Sequence, residues 1–148
     1  MVWYAHSTVA TIVEDNDHFL MVEETDAGRM VFNQPAGHLD ANETLFEAAL
    51  RETLEETAWQ VELEAFLGLY FYQAPNNGIT YIRHCFIARP LELTQRDLDP
   101  EISAVHWLSR EEILAPGFPA RSPAVIRVLE DYLQGQRYPL DLIYHHHE

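Results

Sequence analysis

Apolar and β-branched residues recur in short runs along most of the chain, and turn-forming residues separate these runs. "EDND" (14–17) separates the first two runs and "PNNG" (75–78) separates a later pair, so the pattern predicts two hairpins. Pro35 and Gly37 follow a third run and end it. The pattern predicts strands at residues 8–13, 18–23, 30–33, 61–73, 79–88 and 101–108.

A helical pattern interrupts these strands between about residues 44 and 58. Thr44 and Glu47 have the spacing of a capping box at its start. At about 100° per residue, three acids fall on one side of the helix and apolar residues fall on the opposite side. We expect the apolar side to pack on the core. Small residues flank the acids and would let another segment approach closely. The acidic side holds Glu52, Glu55 and Glu56, the apolar side holds Phe46, Leu50, Leu54 and Thr57, and the small residues are Ala48 and Ala49.

Two further helices are predicted after the last strand. The later one spans about 122–134, with Ser122 as N-cap, Pro123 at the first helical position and Gly135 just past the end. Strands interrupted by a central helix and followed by helices indicate an α/β layered fold with a mixed sheet. The length of 148 residues suits one domain, 1–148.

Composition narrows the classes of function. The net charge is −15, and all nine basic residues are arginine. Without lysine there is no Schiff-base chemistry and no P-loop lysine, and the acidic balance argues against binding of nucleic-acid polymers. The single Cys85 favours a reducing compartment. No signal peptide or membrane span is evident, so we expect a cytoplasmic protein.

The acidic side of the central helix needs an explanation, because each like-charge pair three or four residues apart costs about 0.2–0.5 kcal/mol. A solvated helix face is the ordinary interpretation. However, Gly37 precedes the helix in "NQPAGHLD" and can present a backbone carbonyl. Carboxylates and a carbonyl are hard oxygen ligands that suit Mg²⁺ or Mn²⁺. The residues therefore favour a divalent metal site.

The stretch 37–59, "GHLDANETLFEAALRETLEETAW", resembles the Nudix box, G-x5-E-x7-R-E-U-x-E-E-x-G-U, where U is a bulky aliphatic or similar residue. There are two departures, since Thr53 stands at a U position and Ala58 replaces the second glycine. If that glycine ends the helix in a left-handed conformation, alanine costs roughly 1 kcal/mol or more there and alters the local backbone. The matching positions are Gly37, Glu43, Arg51, Glu52, Glu55 and Glu56.

Further segments resemble the bacterial NudJ-type Nudix phosphatases: 22–25, 32–45, 121–125 and 135–143. The resemblance implies a Nudix α/β/α sandwich and Mg²⁺-dependent hydrolysis of nucleoside tri- and diphosphates, with Mn²⁺ as a substitute. Orthophosphate would be released, and thiamine-related pyrophosphates are further substrates that it implies. The partner is then a nucleotide or another pyrophosphate-containing small molecule, with no nucleic-acid polymer and no membrane, and the protein is a monomer or homodimer.

The resemblance also implies roles for residues of the box. Glu52, Glu55 and Glu56 would be metal ligands, with the Gly37 carbonyl as a further candidate. Arg51 would hold box carboxylates in position, and Glu43 would orient the loop or the glutamates. The general base would be Glu55, Glu56 or, outside the box, Glu101, for which a solvent-facing role is an equal alternative.

Arginines are the natural phosphate ligands in a chain without lysine. Arg83 is the first choice, followed by Arg29 and Arg137. Aromatic residues in strands are more often core than base-stacking, which applies to Tyr70, Tyr72 and Tyr81. His6, His38, His84 and His106 are scattered rather than spaced as a zinc site, and residues 144–148, with three consecutive histidines, are predicted to be a disordered tail.

Three hypotheses follow. The first is the phosphohydrolase, and it includes a pyrophosphohydrolase of another nucleoside-diphosphate-linked substrate. The second is a Nudix module that senses a nucleotide without turnover, against which the intact Glu52, Glu55 and Glu56 argue. The third is a structural or interaction protein with a solvated acidic helix, whose stability would not respond to excess Mg²⁺ or Mn²⁺.

Overall fold

The computed structural model describes residues 1–146 and contains seven strands and two longer helices in that range. The strands are β1 (His6–Asp15), β2 (His18–Asp26), β3 (Arg29–Asn33), β4 (Ala36–His38), β5 (Trp59–Gln73), β6 (Thr80–Leu93) and β7 (Ile102–Ser109). The helices are α1 (Leu45–Thr57), the short α2 (Arg110–Ile113) and α3 (Pro123–Leu133), and a 3₁₀ turn spans Leu140–Leu142.

The sheet is mixed and runs in the order β3-β2-β1-β6-β5, with β4 paired to β1 and β7 paired to β2. The β1–β6 pair is parallel, and the remaining pairs are antiparallel. The two predicted hairpins are β1–β2 and β5–β6. The prediction missed β4, because a three-residue strand between Pro35 and the helix has no periodicity to detect.

The two sides of β1 pack against different helices, because side chains alternate along a strand. Val9 packs with Ala48 and Ala49 of α1, whereas Ala10 packs in a cluster with Val125 of α3. This alternation makes the sheet the middle layer between α1 and α3. The α/β fold with a mixed sheet between helices, predicted from the sequence, is confirmed.

The prediction for the buried side of α1 was right for Phe46 and Thr57, which pack on the core or are buried, and wrong for Leu50. Ala48, Ala49 and Thr53 face the sheet and are buried, whereas Leu50 is 38% exposed. Small side chains allow the helix to approach β1 closely, and the hydroxyl of Thr53 shares a 2.8 Å hydrogen bond with that of Thr11. The acidic side therefore borders the sheet instead of lying opposite to it.

The ends of the helices follow the predicted signals. Thr44 and Glu47 form the capping box at α1, and Pro123 opens α3. No helix within residues 1–146 is long and apolar enough to cross a bilayer. In the predicted tail, His145 accepts a 3.2 Å hydrogen bond from the Leu45 backbone N–H. His147 and Glu148 lie outside the described residues.

Candidate active site

Strand β4 brings its backbone against the acidic side of α1. The backbone N–H of Ala36 donates a 2.9 Å hydrogen bond to Oε1 of Glu56. A Cβ atom at Gly37 would collide with the carboxylate of Glu52. A side chain at position 37 would therefore displace the Glu52 carboxylate, and β4 lies next to two box glutamates.

Arg51 is the centre of an ionic network on α1. Its guanidinium binds both carboxylate oxygens of Glu43, at 2.7 and 2.8 Å. Its NH1 group donates to Glu52 at 2.7 Å and to Glu55 at 3.1 Å. Its NH2 group donates to the backbone carbonyl of His38 at 3.0 Å. One arginine thus fixes three glutamates and the end of β4 relative to one another.

The carboxylates of this region are partly removed from water and repel one another. Burial raises the pKa of Glu56 to about 9, and the charges of Glu24, Glu52 and Asp99 add to the rise. Burial also raises the pKa of Glu52, although hydrogen bonds from Arg51 oppose it. Such an arrangement favours either protons or a cation among the carboxylates.

A cleft of about 470 Å³ opens beside these carboxylates. Five residues predicted for the site line it: Gly37, Glu52, Glu56, Arg83 and Glu101. Arg51 and Glu55 are not among its lining residues and form an ion pair with each other at 3.1 Å. The cleft thus has acidic groups and an arginine on its walls, which is the arrangement needed by a ligand that carries both phosphate and a bound cation.

A model of the NUDIX domain matches residues 4–129 of the chain. The chain belongs to the Nudix hydrolase family. Among solved structures, a NUDIX hydrolase from Nitrosomonas europaea is 38% identical, with a TM-score of 0.93 over 97% of this chain and 98% of the other. A second NUDIX hydrolase from the same organism is 26% identical, with a TM-score of 0.73 over 94% and 78%.

A more distant structure is described as a bifunctional NMN adenylyltransferase/ADP ribose pyrophosphatase from Francisella tularensis, complexed with AMP and a Mn ion. It is 21% identical, with a TM-score of 0.64 over 89% of this chain and 42% of the other, and therefore supports the fold alone. The search of curated proteins gave no match.

This Nudix hydrolase accommodates its two departures from the box, at Ala58 and Thr53, through local backbone conformation and hydrogen bonds. Ala58 adopts the left-handed conformation, with φ 66° and ψ 4°, and its N–H donates to the carbonyl of Leu54 at 2.8 Å. Its own carbonyl accepts hydrogen bonds from the N–H and the hydroxyl of Thr94. Thr53 is fully buried, with its hydroxyl donating to the Ala49 carbonyl. The helix end therefore keeps the glycine-like geometry with a strained alanine.

The other predicted phosphate ligands lie away from the cleft. Arg29 is an exposed residue at the start of β3, and Arg137 is exposed after α3. Neither is among the lining residues of the cleft. Of the tyrosines, Tyr72 and Tyr81 line the cleft, whereas Tyr70 donates a 2.7 Å hydrogen bond to Asp131 of α3.

The structure adds charged residues that sequence reasoning did not select. Glu24 and Asp26 of β2 and Arg121 before α3 line the same cleft, and Arg121 pairs with Glu24 at 2.8 Å. Asp99 lies next to α1, with its N–H donating to the Glu55 carbonyl at 3.0 Å. Segments 22–25 and 121–125 carry part of the NudJ-type resemblance, and this was the available signal for Glu24 and Arg121.

The oxygen atoms offered by these residues suit a divalent cation, but their side chains do not converge on one point. Glu52 and Glu56 line the cleft, and Gly37 forms a cradle that a Cβ would fill. Within residues 1–146, no three His, Cys, Asp or Glu side chains form a group that could hold a metal ion. Arg51 holds one oxygen each of Glu52 and Glu55, so ion binding requires these side chains to converge.

Proposed function

We propose that this Nudix hydrolase is a NudJ-type phosphatase that hydrolyses phosphoanhydride bonds of nucleoside tri- and diphosphates with a divalent metal ion, Mg²⁺ or Mn²⁺, and releases orthophosphate. The observation that carries the proposal is the cleft lined by Glu52 and Glu56 of α1 and by Arg83 of β6. The NudJ-like segments from 22–25 to 135–143 support the choice of outer-phosphate chemistry. Thiamine-related pyrophosphates belong to the same substrate class.

Glu52, Glu55, Glu56 and the Gly37 carbonyl would hold the ion once the side chains converge, since all four offer hard oxygen atoms on α1 and β4. When bound, the ion neutralises phosphate charge and lowers the pKa of a bound water. Arg51 keeps Glu52 and Glu55 in position through NH1. Loss of such outer contacts typically costs about 10–100-fold in metal affinity or activity.

The reaction requires a proton acceptor near the attacking water. Glu101 lines the cleft and lies exposed just before β7. In contrast, Glu55 is bound by Arg51 and Glu56 by the Ala36 N–H. We therefore propose Glu101 as the general base that accepts the proton of the attacking water. Glu55 and Glu56 are the alternatives, and single Glu→Gln variants distinguish the three.

The bond changes follow from hydrolysis at the outer phosphorus. The water oxygen forms a bond to that phosphorus, and the bond to the bridging oxygen breaks with its electron pair. The water proton passes to the carboxylate, and orthophosphate leaves together with the shortened nucleotide. Arg83 would bind the phosphate oxygens during this step, and Tyr72 and Tyr81, which line the same cleft, would lie beside the rest of the nucleotide.

A small nucleotide is the partner that we propose, because the cleft combines carboxylates that suit a cation with Arg83. The net charge of −15 disfavours a nucleic-acid polymer, and the protein would act as a monomer or homodimer. The buried, unpaired Cys85 agrees with a reducing cytoplasm.

A substrate panel with Mg²⁺ tests the proposal by distinguishing orthophosphate from pyrophosphate. It should include four nucleoside triphosphates, their diphosphates, thiamine diphosphate and a nucleoside diphosphate sugar. We expect triphosphates to release orthophosphate and accumulate the diphosphate, which then becomes monophosphate, with base identity altering the rate far less than removal of a phosphate.

Direct formation of monophosphate and pyrophosphate would place the attack at the inner phosphorus and refute the NudJ-type assignment. Cleavage of the diphosphate sugar alone would favour a pyrophosphohydrolase of another nucleoside-diphosphate-linked substrate. Stabilisation by nucleotides with no product from any substrate would favour the sensing module instead. The Glu56→Gln variant is the control for contaminating phosphatases.

A further inference from the structure

Arg83 differs from the other arginines near the site in the groups that surround it. It is only 8% exposed and lines the cleft. Arg51 and Arg121 are neutralised by carboxylates, through Glu43 and Glu24 among others. Within residues 1–146, Arg83 has no ion-pair partner, and its Nε atom is buried without a hydrogen-bond acceptor.

Two neutral amides hold the Arg83 guanidinium. Its NH2 group donates to Oε1 of Gln34 at 2.8 Å and to Oδ1 of Asn33 at 3.2 Å. The neighbouring thiol of Cys85 adds no charge, because burial raises its pKa. The positive charge of Arg83 is thus oriented by dipoles and remains available to an anion.

The Gln34 amide has only one workable orientation. Gln34 is 2% exposed, and its Nε2 donates to the backbone carbonyl of Val125 in α3 at 2.9 Å. A carbonyl can only accept and a guanidinium can only donate, so Oε1 must face Arg83. The start of α3 therefore fixes Gln34, and Gln34 fixes Arg83.

We infer that Gln34, assisted by Asn33, is a positioning residue that holds Arg83 as an un-neutralised cation for the phosphate chain of the substrate. A glutamate at position 34 would place a carboxylate at the same 2.8 Å distance and form an internal ion pair. The internal pair would compete with phosphate for Arg83. The identity of the anion rests on the proposed function.

The test is the near-isosteric Gln34→Glu variant. We expect KM for the nucleoside triphosphate to rise at least about tenfold, equivalent to about 1.4 kcal/mol, with kcat within about threefold. Without ligand and without metal, the variant should still fold, because the charged partner that Arg83 gains offsets the hydrogen bond that Val125 loses. Inorganic tripolyphosphate, titrated without metal, should stabilise the wild type and stabilise the variant much less.

Two further variants complete the experiment. Gln73→Glu makes the same chemical change at an exposed residue beside the cleft-lining Ala74, and it should leave KM within about twofold. Asn33→Asp should raise KM in the same direction as Gln34→Glu, by a smaller factor, because its oxygen lies 3.2 Å from Arg83.

An unchanged KM in folded Gln34→Glu would overturn the inference, as would an equal rise in Gln73→Glu. Failure of both Gln34→Glu and Asn33→Asp to fold would also overturn it, because Asn33→Asp keeps the oxygen that accepts from Arg83 and adds a charged partner for the buried cation. A wild type that hydrolyses no phosphoanhydride refutes the proposed function, but tripolyphosphate stabilisation that Gln34→Glu abolishes would still support the role of Gln34.

Discussion

Replacement of Arg51 by lysine separates the geometry of the ionic network from its charge. Lysine keeps one positive charge but lacks the planar fork that binds both oxygens of Glu43 and also reaches Glu52 and the His38 carbonyl. Arg51 and its partners are largely shielded, with side-chain exposures of 26% for Arg51 and 14% for Glu43. We therefore expect a measurable cost, unlike that of an exposed ion pair.

The magnitude follows from the contacts that lysine cannot make. A hydrogen bond to a charged group contributes about 1.5–3 kcal/mol, and a lysine could recover some of the five contacts made by the guanidinium. We expect Arg51→Lys to lower the free energy of unfolding by about 2 kcal/mol, since the bidentate contact with Glu43 is lost. For a chain of this size, that corresponds to a fall of about 4–8 °C in Tm.

The assay is thermal unfolding with EDTA and with Mg²⁺, together with turnover of the best substrate. Turnover should fall about 10–100-fold, because Glu52 and Glu55 lose their alignment. Arg89→Lys is the matched control, since the Arg89–Glu62 pair is 50% and 55% exposed, and exposed pairs contribute at most about 1 kcal/mol. If Arg51→Lys matches the wild type in Tm and turnover, the network does not position the carboxylates.

Three further predictions follow from α1 and β4. Glu56→Gln keeps an acceptor for the Ala36 N–H, so the protein should fold while turnover falls at least about a hundredfold. Near-normal turnover would contradict the site. Glu47→Gln, which preserves the capping box, is the control. Ala58→Gly should relieve the positive φ and raise Tm by about 2–4 °C, for about 1 kcal/mol, and an unchanged or lower Tm would show that no strain is stored there. Gly37→Ala should lower turnover at least about tenfold, because Cβ displaces the Glu52 carboxylate, and turnover equal to wild type would remove Gly37 from the site.

The box residues of the candidate site could be predicted from the sequence because they are close together in the chain. Arg51, Glu52, Glu55 and Glu56 occupy consecutive turns of one helix, and the capping signal at Thr44 places that helix correctly. Glu24 and Arg121, by contrast, come from β2 and from the segment before α3, almost a hundred residues apart. No local pattern links such residues, so only their pairing in the folded chain brought them to the cleft.

Which side of α1 faces the sheet was also decided by the fold. Periodicity favoured the side with Leu50 and Leu54, because large apolar side chains contribute most to burial. The sheet instead accepts Ala48, Ala49 and Thr53, whose small side chains permit close packing on β1. This packing is what brings Glu56 within hydrogen-bond distance of the Ala36 N–H.

The sequence by itself determined the alternation of strands and helices, the mixed α/β class, the Nudix box and the absence of lysine, because these are properties of neighbouring residues and of composition. The tertiary structure decided which charges compensate one another. Arg51 and Arg121 are both paired with acids, and Arg83 faces two amides instead. Electrostatic compensation depends on distances across the fold, and those distances exist only once β3, β6 and α3 have packed together.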